Sequence, residues 1–169
     1  MYPSTPLSPV YSWHAAAISA QHAAELLDKA RALQRAQQQQ GRIPAALKGK
    51  QLALLRDDDE GADAELFRAA AAELGAHVAH VKPALSARSS AQQVQATAHV
   101  LSLLYDGVEC EGLPHPLVRQ LQHAADVPIY DGIACAAHAT AALAGQLEGS
   151  CPEKKRRLVV QALLLDSLA

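Results

Sequence analysis

Short apolar runs alternate with amphipathic segments through most of the chain, and this alternation predicts the fold. Four runs have the length and composition of buried strands, at about residues 51–56, 77–82, 107–110 and 127–130. Helical spacing of apolar residues predicts helices at about residues 61–74, 92–104, 116–125 and 136–147. Strands that alternate with helices of this length form a parallel sheet with right-handed crossovers. We therefore predict an α/β fold with a parallel sheet of about four strands and helices on both faces.

Two further helices are predicted at the ends of this domain and are expected to pack on it. Ser19 has the position of an N-cap, and the helix after it is predicted to fade into a linker at the glutamine run 37–40. Ser150 and Glu153 have the spacing of a capping box, which predicts a helix that runs to about Leu168. The basic run 154–157 at the start of that helix is interpreted as a solvated face.

Composition and charge limit the classes of protein to which this chain can belong. Its 169 residues suit one domain, predicted over residues 11–149 between a flexible arm (1–10) and a C-terminal helix (150–169). The net charge of −2 gives no reason to expect nucleic acid or an anionic membrane as a partner. Because the three cysteines lack paired spacing and no secretory signal is evident, we expect a reduced, cytoplasmic protein.

An acidic run follows the first predicted strand, at the point where a helix is expected to begin. Backbone N–H groups and the helix dipole favour anions at such a junction, yet residues 57–60 are all acidic and the flanking cation, Arg56, precedes them. One interpretation is that these carboxylates cap the helix and stabilise the fold. The other is a site for a divalent cation or an amine, with Glu111 and His138 on the same rim. Because no metal-binding motif accompanies the run, we predict no metal ligand and no cofactor.

Several spaced motifs make the chain resemble the aspartate and ornithine carbamoyltransferases. They are Leu47-Lys48-Gly49-Lys50-Gln51-Leu52-Ala53-Leu54-Leu55, Phe67, Leu74-Gly75, Pro83, Thr97-Ala98, Val100-Leu101-Ser102, Asp106, Val127-Pro128-Ile129 and Gly132-Ile133. The matches keep register without a gap from about Ala46 to Leu147. The resemblance implies the fold of the family's first domain, which holds carbamoyl phosphate and forms the trimer contacts. It does not extend to the second domain, which binds the amino-acid substrate, although the C-terminal helix is similar to the one that closes full-length members.

The resemblance also locates the positions where the family holds its substrate, and different residue types stand there. The family's phosphate loop, S-T-R-T-R, corresponds here to Glu60, Gly61, Ala62, Asp63 and Ala64. Glu111 replaces an arginine after the third strand, and only His138 is kept from H-P-x-Q, either as a relic of the carbonyl-contacting histidine or as a satisfied core histidine. These are the candidate binding positions, and no catalytic residue is predicted.

The same substitutions predict that carbamoyl phosphate does not bind. Two arginines could each supply charge-assisted hydrogen bonds of about 1.5–3 kcal/mol to the phosphate, and the alanines that replace them supply none. The added carboxylates would repel a leaving group that carries nearly two negative charges. We therefore expect the sign of the site to be reversed.

Three functions stay open on these residues. The first is a non-catalytic assembly or regulatory protein, either a homo-oligomer, with a trimer expected, or a hetero-oligomer with a true carbamoyltransferase. The second is a carbamoyltransferase of the ornithine or aspartate type that is active only with a partner chain. The third is a sensor that binds a small cationic ligand or an amino acid in the acidic cleft.

Overall fold

A parallel sheet of four strands organises residues 18–169, the part of the chain that the computed structural model describes. The elements are α1 (Ala20–Gln40), β1 (Gln51–Leu55), α2 (Ala62–Glu73), β2 (His77–Val81), α3 (Ala91–Leu104), β3 (Gly107–Cys110), α4 (His115–Ala124), β4 (Ile129–Asp131), α5 (Ala139–Ala144) and α6 (Pro152–Leu168). The strand order is β2-β1-β3-β4, and each neighbouring pair is parallel. The predicted α/β class is confirmed, whereas the predicted arm at residues 1–10 lies outside the described residues.

Alternate residues of β1 serve two separate cores, one on each face of the sheet. Leu52 and Leu54 pack with side chains of α1, α2, α5 and α6. Ala53 and Leu55 pack with side chains of α3 and α4 on the opposite face. Because successive side chains of a strand point to opposite faces, a strand covered on both sides is apolar at nearly every position. Helices therefore cover both faces, as the sequence predicts.

The first helix begins where the sequence predicts and ends later. The Ser19 side chain accepts a hydrogen bond from the backbone N–H of His22 (3.2 Å), which confirms the N-cap. The glutamine run 37–40 is helical rather than a linker, so that prediction is wrong. Glutamine has a good helix propensity, and α1 ends only at Gly41, whose φ of +71° is left-handed.

The last helix packs on the domain, but its start differs from the prediction. Its N-cap is Cys151, which makes no side-chain capping bond, so the predicted capping box of Ser150 and Glu153 is wrong. Pro152 occupies the first turn, where its fixed φ and missing N–H suit a helix start, and this leaves Ser150 outside the helix. The basic run is a solvated face only in part, because Lys154 is exposed whereas Arg157 donates to Glu73 on α2 (2.7 Å).

The fourth strand and the helix after it are both shorter than the sequence predicts. Strand β4 begins at Ile129 instead of residue 127, and α5 covers six residues where twelve were predicted, 136–147. Much of the difference is a tight turn over residues 132–138, whose backbone is held by a buried side chain of β3. No helix among residues 18–169 is long and apolar enough to cross a membrane.

Candidate functional site

The strand order predicts a crevice at the carboxyl end of the sheet between β1 and β3. The chain leaves β1 toward β2 on one side, whereas β3 and β4 lie on the other side. Adjacent parallel strands whose connections diverge leave a crevice at their carboxyl ends, and ligands of α/β proteins bind there. The loops that flank it are residues 56–61 after β1 and residues 111–114 after β3. We call this space the crevice.

Arg56 lies in the crevice and is held by both of its walls. Its Nη1 donates to a carboxylate oxygen of Glu111, and its Nη2 donates to Asp58 Oδ1 (2.7 Å) and to the carbonyl oxygen of Glu60 (2.6 Å). The side chains of Arg56 and Glu111 are 17% and 5% exposed, whereas that of Asp58 is 74% exposed. The pair of Arg56 and Glu111 is therefore the desolvated part of the network and bridges the two strand ends.

Of two more arginines, Arg68 reaches the same loop and Arg156 approaches the first turn of α2. Arg68, on the second turn of α2, donates from both terminal nitrogens to the carbonyl oxygen of Asp59 (3.2 Å each) and forms an ion pair with its carboxylate. Arg156, on α6, donates from Nη2 to the carbonyl oxygen of Ala134. The same nitrogen lies 3.9 Å from Oδ1 of Asp63. The expected reversal of charge is thus incomplete, because arginines of this chain accompany several of the acids.

The start of α2 differs from the prediction that acids cap it. The N-cap is Gly61, which has no side chain to accept a bond from the helix amides and whose φ of +135° suits glycine. A Cβ at this position would lie 3.2 Å from Nη2 of Arg56, so the guanidinium packs closely on the N-cap. Asp58 and Asp59 come before the cap and pair with arginines instead.

The remaining candidate positions on α2 divide between the surface and the core. Ala62 is exposed, Asp63 is half-buried and Ala64 is fully buried. The Ala64 methyl belongs to the core that α2 shares with α6. A long cationic side chain at this position would need that packing to open.

Glu111 carries the most perturbed carboxyl group that lines the crevice. Burial raises its pKa, the nearby Asp63 raises it further, and Arg56 lowers it, so that the net shift is upward. One of its oxygens, Oε1, is buried and finds no hydrogen-bond partner among residues 18–169. Glu111 is fixed by its backbone as well, since its N–H donates to the carbonyl oxygen of Leu55 (3.0 Å).

Glu109 holds the turn that follows β4. It is fully buried, and its carboxyl oxygens accept from the backbone N–H groups of Gly132 (2.7 Å) and Ile133 (3.0 Å). Burial raises the pKa of Glu109 well above its ordinary value, although these amides act in the opposite direction. A glutamate inside an apolar strand was a signal in the sequence that could have identified this anchor.

His138 has a structural task at the end of the same turn. It is 3% exposed, and its Nδ1 accepts from the N–H of Thr140 (3.1 Å), which makes it the N-cap of α5. The Thr140 hydroxyl donates to the carbonyl oxygen of Ile133 (2.7 Å) and ties the helix back to the turn. Of the two interpretations of His138, these bonds favour the satisfied core histidine.

A cavity of about 410 Å³ lies beside this turn. Its lining includes His115, Asp131 and the thiol of Cys135. Nδ1 of His115 lies 2.7 Å from Oδ2 of Asp131. Burial and the carboxylates of Glu109, Asp63 and Glu111 raise the pKa of Cys135, so the thiol is protonated and a poor nucleophile. Across residues 18–169, no group of three or more His, Cys, Asp or Glu side chains is placed to hold a metal ion.

Comparison with known proteins identifies the family of this chain. The family model described as aspartate/ornithine carbamoyltransferase, carbamoyl-phosphate binding domain, matches residues 13–148. The chain belongs to this family. It is 34% identical over 122 residues to an ornithine carbamoyltransferase of Actinobacillus pleuropneumoniae, and 34% identical over 119 residues to a catabolic ornithine carbamoyltransferase of Burkholderia mallei. These matches cover 72% and 70% of this chain but only 36% and 35% of the relatives, so the chain spans about a third of their length.

Solved structures of the family have the same fold. Ornithine carbamoyltransferase from Pyrococcus furiosus superimposes with a TM-score of 0.63 and 26% identity, over 76% of this chain and 41% of that one. The catalytic subunit of the aspartate transcarbamoylase of M. jannaschii superimposes with a TM-score of 0.59 and 24% identity. The match covers 76% of this chain and 42% of that one. The described domain is therefore a carbamoyltransferase carbamoyl-phosphate binding domain in its fold.

Proposed function

We propose that this chain is a non-catalytic, carbamoyltransferase-like module that acts through assembly, as a homo-oligomer or in mixed oligomers with a true carbamoyltransferase. The observation that supports it is the contact of Arg56 with Glu111 across the crevice. The place where a substrate would enter is taken by a side chain of the protein itself. A carbamoyl phosphate molecule would have to break a desolvated ion pair and then face Asp63 and Glu111.

The surface of α3 supports the assembly part of the proposal. Val100, Leu103 and Leu104 are 51%, 72% and 61% exposed, although they are large and apolar. Their spacing of three and four residues places them on one face of the helix. Single exposed apolar residues are common, but a contiguous apolar patch is typical of a surface that binds a protein. We call these three residues the α3 patch and expect another chain to cover it.

Light scattering coupled to size-exclusion chromatography tests the assembly. We expect a mass that is a multiple of 17.9 kDa at micromolar concentration, with a trimer as the leading state. Leu103→Asp should shift the protein toward the monomer, because a charge in a buried contact is costly. Gln95→Asp adds the same charge to an exposed residue of the same helix outside the patch and should leave the mass unchanged. A wild-type monomer at these concentrations would refute the assembly proposal.

Titration calorimetry and an activity assay test the non-catalytic part. We expect no binding of carbamoyl phosphate with a Kd near or below about 1 mM, a free energy of roughly −4 kcal/mol. No citrulline or carbamoyl-aspartate should form when ornithine or aspartate is added. Product formation by the chain alone, or by the chain with a partner, would favour the enzyme instead. A cationic-ligand sensor is less well supported, because Arg56 already occupies the buried carboxylate.

A further inference from the structure

We propose that Arg56 is a built-in occupant of the crevice that Glu111 holds in place, and that neutralising Glu111 opens the crevice to a doubly charged oxyanion. The inference rests on the proposed function and adds the device that keeps the crevice closed. Arg56 follows β1 directly and Glu111 follows β3 directly, and these strands are hydrogen-bonded neighbours. The contact therefore joins the residues that directly follow two paired strand ends.

The first step is the position of the guanidinium. A Cβ added at Gly61 would lie 3.2 Å from its Nη2 and 3.4 Å from its Nη1, so the guanidinium packs on the backbone of the N-cap. A cation this close to the loop would attract an anion if its donors were free. Both terminal nitrogens are engaged, because Nη1 is bonded to Glu111 and Nη2 to Asp58 and Glu60.

The second step is the difference between the two carboxylates that hold Arg56. Asp58 is 74% exposed, so its ion pair is screened by water and contributes little. Glu111 is 5% exposed, and its backbone N–H is bonded to β1. A carboxylate attached at this site acts at an effective concentration of at least about millimolar, so a free anion at that level does not displace it. Glu111, rather than the exposed acids, is the residue that excludes anions.

The third step is that the closed arrangement leaves polar atoms unsatisfied. Neither Oε1 of Glu111 nor Nε of Arg56 has a hydrogen-bond partner in the part of the chain that the structure describes, and both atoms are buried. Buried polar atoms without partners cost free energy. Loss of the Glu111 charge would weaken the bond to Nη1, because a neutral carbonyl oxygen accepts less strongly than a carboxylate. An oxyanion could then compete for Arg56.

Charge balance sets what the opened crevice can bind. With Glu111 neutral, three arginines (Arg56, Arg68 and Arg156) still face Asp58, Asp59 and Asp63. Asp63 is only loosely paired, at 3.9 Å from Nη2 of Arg156, and its charge reaches the Glu111 position, where it raises the pKa of Glu111. We expect binding of a doubly charged oxyanion in Glu111→Gln, and tighter binding when Asp63→Asn is added.

The experiment measures the affinity for inorganic phosphate by titration calorimetry in five proteins. Glu111→Gln should bind phosphate at least about tenfold more tightly than the wild type, a change of about 1.4 kcal/mol. Asp28→Asn removes one charge from an exposed pair on α1 and should behave as the wild type. Arg56→Gln in the Glu111→Gln background should abolish the gain, and Asp63→Asn in that background should increase it.

Each arm decides a different statement. If Glu111→Gln is folded and binds phosphate no better than the wild type, the role of Glu111 is refuted while the proposed function stands. If the wild type itself binds phosphate tightly, the proposed function fails, and an added gain in Glu111→Gln would still support the device. Should the variant not fold, nitrogen-15 NMR of the wild-type arginine side chains replaces it. Slowed rotation of the Arg56 guanidinium, unchanged by phosphate, supports the device, and fast rotation refutes it.

Discussion

Replacing Arg56 with methionine tests whether the pair across the crevice stabilises the fold. The change keeps an unbranched side chain and removes the cation, so Glu111 is left buried with its carboxylate unpaired. Removing one partner of a buried pair costs about 3–5 kcal/mol. Arg56 is 17% exposed and Glu111 can take up a proton, so the loss should be lower, about 2–3 kcal/mol near pH 7.5. The contact with Asp58, which is mostly exposed, adds no more than about 1 kcal/mol.

The loss should depend on pH in a defined direction. Burial already raises the pKa of Glu111 above its ordinary value of 4.5, and the variant lacks the opposing effect of Arg56, so its pKa rises further. A carboxyl group whose pKa is raised in the folded state binds its proton more tightly there than in the unfolded state. Folding of the variant is therefore favoured as pH falls toward the ordinary value and disfavoured as pH rises above the folded pKa. The difference from the wild type should shrink to below about 1 kcal/mol near pH 5.

Urea unfolding followed by circular dichroism at about pH 7.5 and about pH 5 measures both quantities. Arg56→Lys keeps the positive charge and should lose less than the methionine variant. Arg31→Met breaks an exposed pair with Asp28 and should change the free energy of unfolding by less than about 0.5 kcal/mol. A methionine variant as stable as the wild type near pH 7.5, or a loss that is the same at both pH values, would refute the reasoning.

Two further predictions concern the terminal helices and the turn after α2. Although burial acts against it, hydrogen bonds from Lys29 and His22 lower the pKa of Asp166, so its stabilisation is present above the ordinary value of 3.8 and is lost as pH falls through the lowered pKa. Asp166→Asn should cost about 1 kcal/mol near pH 7, and urea unfolding should show that the difference disappears in acid. Gly75 has a φ of +87°, and a Cβ there would lie 3.2 Å from the Lys48 backbone, so thermal unfolding of Gly75→Ala should reveal a loss of about 1–3 kcal/mol. Gly112→Ala, at a φ of +74° with nothing within 4 Å of the added Cβ, should lose less, and equal losses would contradict the steric part of the prediction.

The sheet could be predicted from the sequence because its strands are apolar on both faces and its helices have regular spacing. Short-range signals near the ends of elements were less informative. Ser150 and Glu153 have the correct spacing for a capping box, yet Pro152 starts the helix one residue later. The glutamine run at residues 37–40 is polar, but α1 has already formed before it. Each residue added to an existing helix gains one hydrogen bond without the cost of a new nucleus.

The sequence grouped Glu60 and Glu111 correctly, because Arg56 contacts both of them. Ala64 is instead buried in the core, and His138 caps α5. That these positions bind a ligand stays a prediction. The partners of the acids were missed, because Arg68 and Arg156 are separated from their carboxylates along the chain by many residues or by whole elements. Such pairs depend on where α2 and α6 are packed, which no local pattern records.

Short apolar runs and helical spacing in the sequence alone determined the α/β class and the number of strands, since each depends on residues close together along the chain. The spaced motifs, which keep their register, gave the resemblance to the family. The composition of the loop after β1 determined that it carries acids where an anion would bind. Only the tertiary structure decided what those acids contact. It joined the ends of β1 and β3, so that Arg56 lies between them and pairs with Glu111, because the energy of a desolvated ion pair depends on distance and burial rather than on order in the chain.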